Sequence, residues 1–147
     1  MAFPFFGHHK PHKVKLVLYR KKHHHHHHHK HPIMSLTLVA NQKVAGVLGL
    51  VDQVTNNPVT AVFSNVTASS DTQAAFTASV DSSNNIDVVG VAAGAGNVDI
   101  SATVAYTDST GAAQSVTLTL TVPVTITAVI TADAVELVVT WGTPTAQ

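Results

Sequence analysis

The stretch NVDISATVAYTDSTGAAQSVTLTLTV, residues 97–122, contains two runs in which apolar and polar residues alternate. The apolar positions of the first run are Val98, Ile100, Ala102, Val104 and Tyr106, and those of the second are Val116, Leu118, Leu120 and Val122. A period of two is typical of a strand with one buried face, because successive side chains point to opposite sides. The segment DSTG between the runs is a turn signal. These residues therefore predict two strands joined by a turn.

The same period continues on both sides of this stretch. FTASV (residues 76–80) and VELVVTW (residues 135–141, ending at Trp141) alternate clearly, and weaker strand candidates are residues 36–39, 44–51, 59–66, 86–91 and 124–130. Turn signals separate them: TNNP (55–58), DSSNN (81–85) and GAGN (94–97). No segment shows the 3.6-residue apolar period of a helix. The pattern predicts an all-β antiparallel sandwich of about seven to nine strands.

Charge divides the chain into two parts. The eight lysines and arginines end at Lys43, the eight acids begin at Asp52, and all eleven histidines lie at or before His31. We therefore expect a basic, His-rich arm over residues 1–33 and a sandwich over residues 34–147. The sequence has no cysteine and no run of about 18 apolar residues, so neither disulfides nor a membrane-spanning helix is expected. The basic N-terminal segment does not read as a secretion signal.

Residues 69–122, beginning SSDTQAAFTASV, resemble the group-2 bacterial immunoglobulin-like domains. The resemblance rests on the Ser-Ser-Asp segment (69–71), on VGVAAG (89–94) as a turn, and on the alternation that follows. The tryptophan that usually precedes the Ser-Ser-Asp segment is absent. Residues 34–147 also look like small single-domain immunoglobulin-like proteins of phages and prophages. The resemblance implies an immunoglobulin-like sandwich, in which Gly90 and Gly94 are expected to adopt backbone angles closed to other residues.

Catalysis is not expected from these residues. After Lys43 the sequence contains no His, Cys, Lys or Arg. A hydroxyl nucleophile needs a base and an oxyanion stabiliser, and only scattered carboxylates accompany the many Ser and Thr residues. Asp81 and Asp108 fall in turn signals without the spacing of a calcium loop, so they are expected to be turn residues. The sequence predicts a protein that is not an enzyme.

The histidine run leaves three interpretations open: part of a natural basic arm, an expression tag, or a metal site. Neutral imidazole binds zinc, nickel and copper, but a pure run has no fixed geometry. No resident cofactor is therefore predicted, and Zn or Ni on the run would be adventitious. The candidate metal ligands are His23, His24, His25, His26, His27, His28 and His29.

The arm is the predicted partner-binding region. Its aromatic residues are candidates for anchoring in a groove, and its cations for docking on an acidic surface. The segment 14–19 is a further candidate, as a strand that pairs when a partner supplies an edge. Basic residues without a recognition fold predict no specific nucleic-acid binding. The residues concerned are Phe3, Phe5, Phe6, Lys10, Lys13, Lys15, Arg20, Lys21, Lys22 and Lys30.

Two functions follow as hypotheses. The first is a structural or interaction module on the surface of a phage virion, held by its arm, with a virion shell protein or other copies of itself as partner. The second is an extracellular stalk or adhesion module on a bacterial surface, with a surface glycan as partner. A His-rich metal-binding protein is the third alternative. No membrane partner is predicted.

Overall fold

The alternating segments form strands in the computed structural model, which describes residues 13–21 and 31–129. These residues form nine strands and no helix. The strands are β1 (Val14–Arg20), β2 (Leu36–Val39), β3 (Lys43–Asp52), β4 (Pro58–Val59), β5 (Ala61–Ser70), β6 (Phe76–Val80), β7 (Ile86–Gly90), β8 (Gly94–Thr107) and β9 (Ala113–Thr127). Since the described part is without helices, it has none that could cross a membrane. The predicted all-β class is confirmed.

Two sheets pack face to face in a sandwich. The first sheet has the order β1-β3-β7-β6, with the short β4 also pairing with β3. The second sheet has the order β2-β9-β8-β5. Neighbouring strands are antiparallel except β2 and β9, which are parallel from Leu36 opposite Val124 to Val39 opposite Thr127. Strands that are adjacent in sequence, such as β4 and β5, therefore often belong to different sheets.

The core lies between the sheets and is made by the inward positions of both. Phe76, Ile86, Ala102 and Val104 have no exposed surface at all. The predicted alternation is confirmed on β8, where Val98, Ile100, Ala102 and Val104 are buried. It is confirmed on β9 as well, but burial there falls off toward the turn, from Val122 at 2 % exposed to Val116 at 37 %.

Two predicted breaks in the strands are wrong. GAGN was expected to be a turn, but β8 already begins at Gly94, and the bend lies before it at residues 91–93. The run that ends at Val122 and the candidate at 124–130 were expected to be separate strands, but β9 runs through Pro123 to Thr127. Asn97, opposite Pro123, directs its backbone N–H and C=O to Asp71, so the proline nitrogen points away from β8. On the other side of β9, pairing with β2 begins only at Val124. The missing N–H of Pro123 therefore costs no hydrogen bond between strands.

The explanation given for two glycines is also wrong. Among the described glycines only Gly111 has a positive φ, of 84°. Gly90 and Gly94 are constrained by close packing instead. A Cβ on Gly90 would lie 3.0 Å from the carbonyl oxygen of Val39, and one on Gly94 would lie 2.8 Å from the Cβ of Ala75. These positions therefore favour glycine because of their neighbours rather than their backbone angles.

Part of the predicted arm belongs to the sandwich. Val14–Arg20 form β1, which pairs over its whole length with β3, from Val14 opposite Asp52 to Arg20 opposite Gly46. The expectation that this segment needs a partner to supply an edge is therefore wrong, because β3 of the same chain supplies it. Val14, Leu16 and Leu18 enter the core. The strand predicted at 135–141, with Trp141, lies outside the described residues and stays a prediction.

Removing β1 should unfold or strongly destabilise the sandwich. Val14, Leu16 and Leu18 are each 9 % exposed or less, and burial of such a side chain contributes about 1.5–3 kcal/mol. A chain that begins at Met34 should therefore lose several kcal/mol of unfolding free energy, measured by denaturant titration. A chain that begins at Lys13 is the matched control and should keep the stability of the full chain. Equal stability of the Met34 variant would contradict the role of β1.

Candidate functional site

Four of the predicted partner-binding cations lie on one edge strand. Lys13, Lys15, Arg20 and Lys21, here called the basic strip, occupy β1 or the residues directly next to it, and all four are exposed. Alternation places the side chain of Lys15 on the face of β1 that turns away from the core, where its Nζ donates to Asn56 Oδ1 at 2.9 Å. A row of cations also protects an edge strand from unwanted pairing.

β1 separates the predicted arm into two segments. Lys13 precedes Val14, which is opposite Asp52 at one end of β3. Lys21 follows β1 at its other end, where its N–H donates to the carbonyl of Ala45 at 2.8 Å. At about 3.3 Å per residue, these lysines are roughly 26 Å apart. Segments 1–12 and 22–30 therefore join the sandwich at opposite ends of β1.

The histidine run is an insertion between two fixed points. Tyr19 pairs with Pro32, and the N–H of Ile33 donates to the carbonyl of Leu18 at 2.7 Å. Because of these contacts, the residues flanking segment 22–30 are held close together. His23 to His29, Lys22 and Lys30 lie outside the described residues, as do Phe3, Phe5, Phe6 and Lys10. Within residues 13–21 and 31–129 no cluster of three or more His, Asp or Glu could hold a metal.

An open cleft lies at this junction. Its volume is about 310 Å³, and it is lined by Arg20 and by residues 32–37. Met34, on the same cleft, is 81 % exposed, the highest value among the large apolar side chains of the described part. The cleft thus combines a cation from the basic strip with an exposed thioether, next to the start of β2.

Most described acids hold turns together. The Oδ1 of Asp52 accepts from the N–H groups of Val54 and Thr55, both at 2.8 Å. Asp81 Oδ1 accepts from Ser83 and Asn85 N–H at 2.8 and 2.9 Å. Each carboxylate satisfies donors that a tight turn would otherwise leave unpaired. Asp81 is therefore a turn residue, as predicted.

Asp108 organises the β8–β9 turn in the same way. Its Oδ1 accepts from the Thr110 hydroxyl at 2.6 Å and from the Thr110 and Ala112 N–H groups at 2.9 and 3.0 Å. Its Oδ2 accepts from the Gln114 amide at 2.8 Å. These bonds leave the carboxylate fully engaged in the turn, and the prediction of a turn role for Asp108 is confirmed.

Asp71 connects the Ser-Ser-Asp segment to β8. Its two carboxylate oxygens accept from the backbone N–H of Asn97 at 2.7 Å and from the Asn97 side-chain amide at 2.9 Å. A Cβ on Gly96 would overlap the Asp71 carboxylate and the Thr72 side chain. Glycine at position 96 is therefore what allows this contact, and the Ser-Ser-Asp segment has a structural role.

The other described acids lie on opposite sheets. Asp87 on β7 forms an ion pair with Lys43 at 2.8 Å, and Asp99 on β8 accepts from the Thr121 hydroxyl at 2.6 Å. In the ion pair Lys43 is exposed, whereas the Asp87 side chain is mostly buried. The acids of the described part are thus divided among four turns and two sheets rather than gathered into one surface.

The second sheet carries a hydroxyl face that the sequence analysis did not single out. Its members are the outward residues Ser101, Thr103, Thr117, Thr119 and Thr121. The hydroxyls of Thr103 and Thr117 lie 3.4 Å apart across the strands. The alternation of Thr at 117, 119 and 121 was the available signal, but in the sequence it serves only to predict the strand.

The sequence matches no protein-family model and no curated protein.

The carboxylates in the turns should make stability fall at low pH. The hydrogen bond from the Thr110 hydroxyl, and then that from Gln114, lowers the pKa of Asp108 from 3.8 to about 2. The Asn97 backbone lowers the pKa of Asp71, and the Asn85 side chain lowers that of Asp81. A carboxyl with a lowered folded pKa stabilises the protein above its unfolded pKa, and this stabilisation is lost as pH falls through the folded value. Melting temperature should therefore decrease between about pH 4 and pH 2.

The variant Asp108→Asn isolates one of these carboxyls. It should melt below the wild type at neutral pH, and the difference should shrink as pH falls from about 4 toward 2, because the Asp108 carboxyl of the wild type is protonated to a growing extent over this range. Circular dichroism melts at several pH values measure this, with Asp99→Asn as the control outside the turns. A constant difference at all pH values would contradict the assignment.

Proposed function

We propose that the chain is a non-enzymatic structural or interaction module of a phage virion surface, held by its basic N-terminal part, with a virion shell protein as partner. The phage setting comes from the resemblance of residues 34–147 to small immunoglobulin-like phage proteins. The attachment comes from the position of the cations, which is the observation that carries the proposal.

An immunoglobulin-like topology is part of this proposal, and the strand order supports it. Reading β1, β3, β7 and β6 as strands A, B, E and D, and β5, β8 and β9 as C, F and G, gives the two sheets of a constant-type domain. β2 then corresponds to a second part of the first strand that crosses to the other sheet. Such domains serve as rigid carriers, and their loops and edges differ from one function to another.

The position of the basic strip supports attachment through one side of the sandwich. Lys13, Lys15, Arg20 and Lys21 account for all the described lysines and arginines except Lys43. The segments that carry the remaining cations of the arm join the two ends of the same strand. A partner with an acidic surface would meet this edge, and the far side of the sandwich would stay outside. Such an attraction is screened over about 8 Å at physiological salt.

A bacterial adhesion module is the second candidate, and the hydroxyl face favours it. Ser101, Thr103, Thr117, Thr119 and Thr121 offer donors and acceptors on a flat strand surface. A surface glycan presents the complementary hydroxyls. In this case the outward face of β8 and β9 would bind the partner, and the basic strip would be dispensable.

Binding to purified particles from the native source should depend on salt and on the basic strip. The double variant Lys15→Gln/Arg20→Gln should bind about tenfold more weakly than the wild type in co-sedimentation at low salt, because two exposed charges are removed. Lys43→Gln is the matched control, since Lys43 is already paired with Asp87. A chain that begins at Lys13 lacks residues 1–12. Its binding shows separately whether Phe3, Phe5, Phe6 and Lys10 contribute to attachment.

The outcomes separate the candidates. Equal binding of the double variant and the Lys43 control would contradict attachment through the basic strip. Recovery of the protein from the outer-envelope fraction instead of the particles would contradict the phage role and favour adhesion. In that case Thr117→Ala/Thr119→Ala should abolish retention on a glycan array.

A further inference from the structure

The two sides of the sandwich protect their strand edges very differently. On one side, β1 carries the basic strip, and its carbonyls at Val14 and Leu18 accept from the Gln53 amide and from Ile33 N–H, at 3.1 and 2.7 Å. On the other side, β5 is the outermost strand of its sheet, with ten residues and no charged side chain. Residues 53–70 contain no charge at all. Charges, short length and prolines are usual means of blocking an edge, and β5 has none of these. Its protection is a bulge between Ser64 and Thr67, and residues 67–70 lie beyond it.

The backbone of β5 has free hydrogen-bonding groups after its bulge. The register shifts between Ser64 and Thr67, where Asn65 has a φ of 49°. The backbone N–H of Asp71 donates to the carbonyl of Asn97 on β8. By alternation, the backbone N–H and C=O groups of Ser69 and Thr67 also point to β8. Ala68 and Ser70 consequently direct their N–H and C=O groups outward. Before the bulge the outward carbonyl of Phe63 is occupied, because it accepts from the Asn84 amide at 3.3 Å.

The chain's own undescribed segments start from the other side of the molecule. They adjoin Lys13 and Lys21, which flank β1, His31, which precedes β2, and Val129, which follows β9. Residues 113–122 of β9, which have no strand beside them opposite β8, lie on that side as well, because β2 pairs with the later part of β9. No described chain end lies at β5, so a second molecule is the partner that the described residues favour for this edge.

We propose that residues 67–69 of β5 pair antiparallel with the same residues of a second copy, forming a two-fold dimer with one continuous sheet. A two-fold pairing places a strand opposite itself, which brings like charges together in any charged strand. β5 avoids this conflict because its outward side chains, Thr67 and Ser69, are neutral and exposed. With Ala68 opposite itself, Thr67 of each copy lies opposite Ser69 of the other. The pairing is independent of what the basic strip binds.

This register can be tested with charges. In Thr67→Lys/Ser69→Lys each lysine lies opposite a lysine of the second copy, whereas in Thr67→Lys/Ser69→Glu each lysine lies opposite a glutamate. Ala95→Lys/Ala105→Lys is the matched control, because it adds two lysines to exposed outward positions of β8, one strand further in. Circular dichroism melts establish that all variants fold.

Sedimentation velocity of the full chain over a range of concentrations gives the dimer dissociation constant. The wild type should dimerise, the Lys/Lys variant about tenfold more weakly, and the Lys/Glu variant at least as well as the wild type. The Ala95/Ala105 control should stay close to the wild type. A wild type that remains monomeric overturns the proposal, as does a Lys/Glu variant no better than Lys/Lys, or a control weakened as much as Lys/Lys.

Discussion

The ladder between β8 and β9 is the constraint on which the rest of the structure depends. It runs without interruption from Gly94 opposite Ile126 to Thr107 opposite Ala113. Since side chains alternate, this one register decides that Ile100 and Val104 enter the core and that the threonines of β9 face outward; a slip of one residue would reverse both faces. β5 and β2 then add to the two sides of the pair. The Asp108 turn, with Gly111 in the left-handed region, holds the register at the closed end.

Aspartate carboxylates stabilise the turns between these strands. Asp52, Asp71, Asp81 and Asp108 each accept backbone N–H groups in a turn or between a turn and a strand. This use of the carboxylates explains how a protein without cysteine keeps its loops ordered. It also gives the charge pattern a structural meaning: the acids are placed where turns need acceptors, so their number says little about a surface for a basic partner.

The sequence was most informative where a signal was both local and repeated. Strict alternation identified the faces of β8 and β9, and Asp followed by Ser, Thr and Asn identified the turns at Asp81 and Asp108. Prediction failed where tertiary neighbours decide the outcome. Pro123 lies in a strand because β2 begins one residue later, and Gly94 is required by Ala75 rather than by a turn. For the candidate site, composition located the cations but could not show that β3 would take up residues 14–20.

The position of β1 decides how the basic part of the chain works. If β1 is a strand of the sandwich, its cations form a fixed strip and two separate segments extend from its ends; if not, residues 1–33 act as one arm. Hydrogen exchange of individual amides distinguishes the two most directly. The N–H of Lys21 donates to β3, and the carbonyl of Lys13 accepts from Gln53, which follows β3. By alternation, the amide N–H groups of Lys15, Val17 and Tyr19 also point to β3. They should be protected as strongly as those of β8. Exchange of these three amides at the rate of an unstructured peptide would contradict the structure proposed for the basic strip.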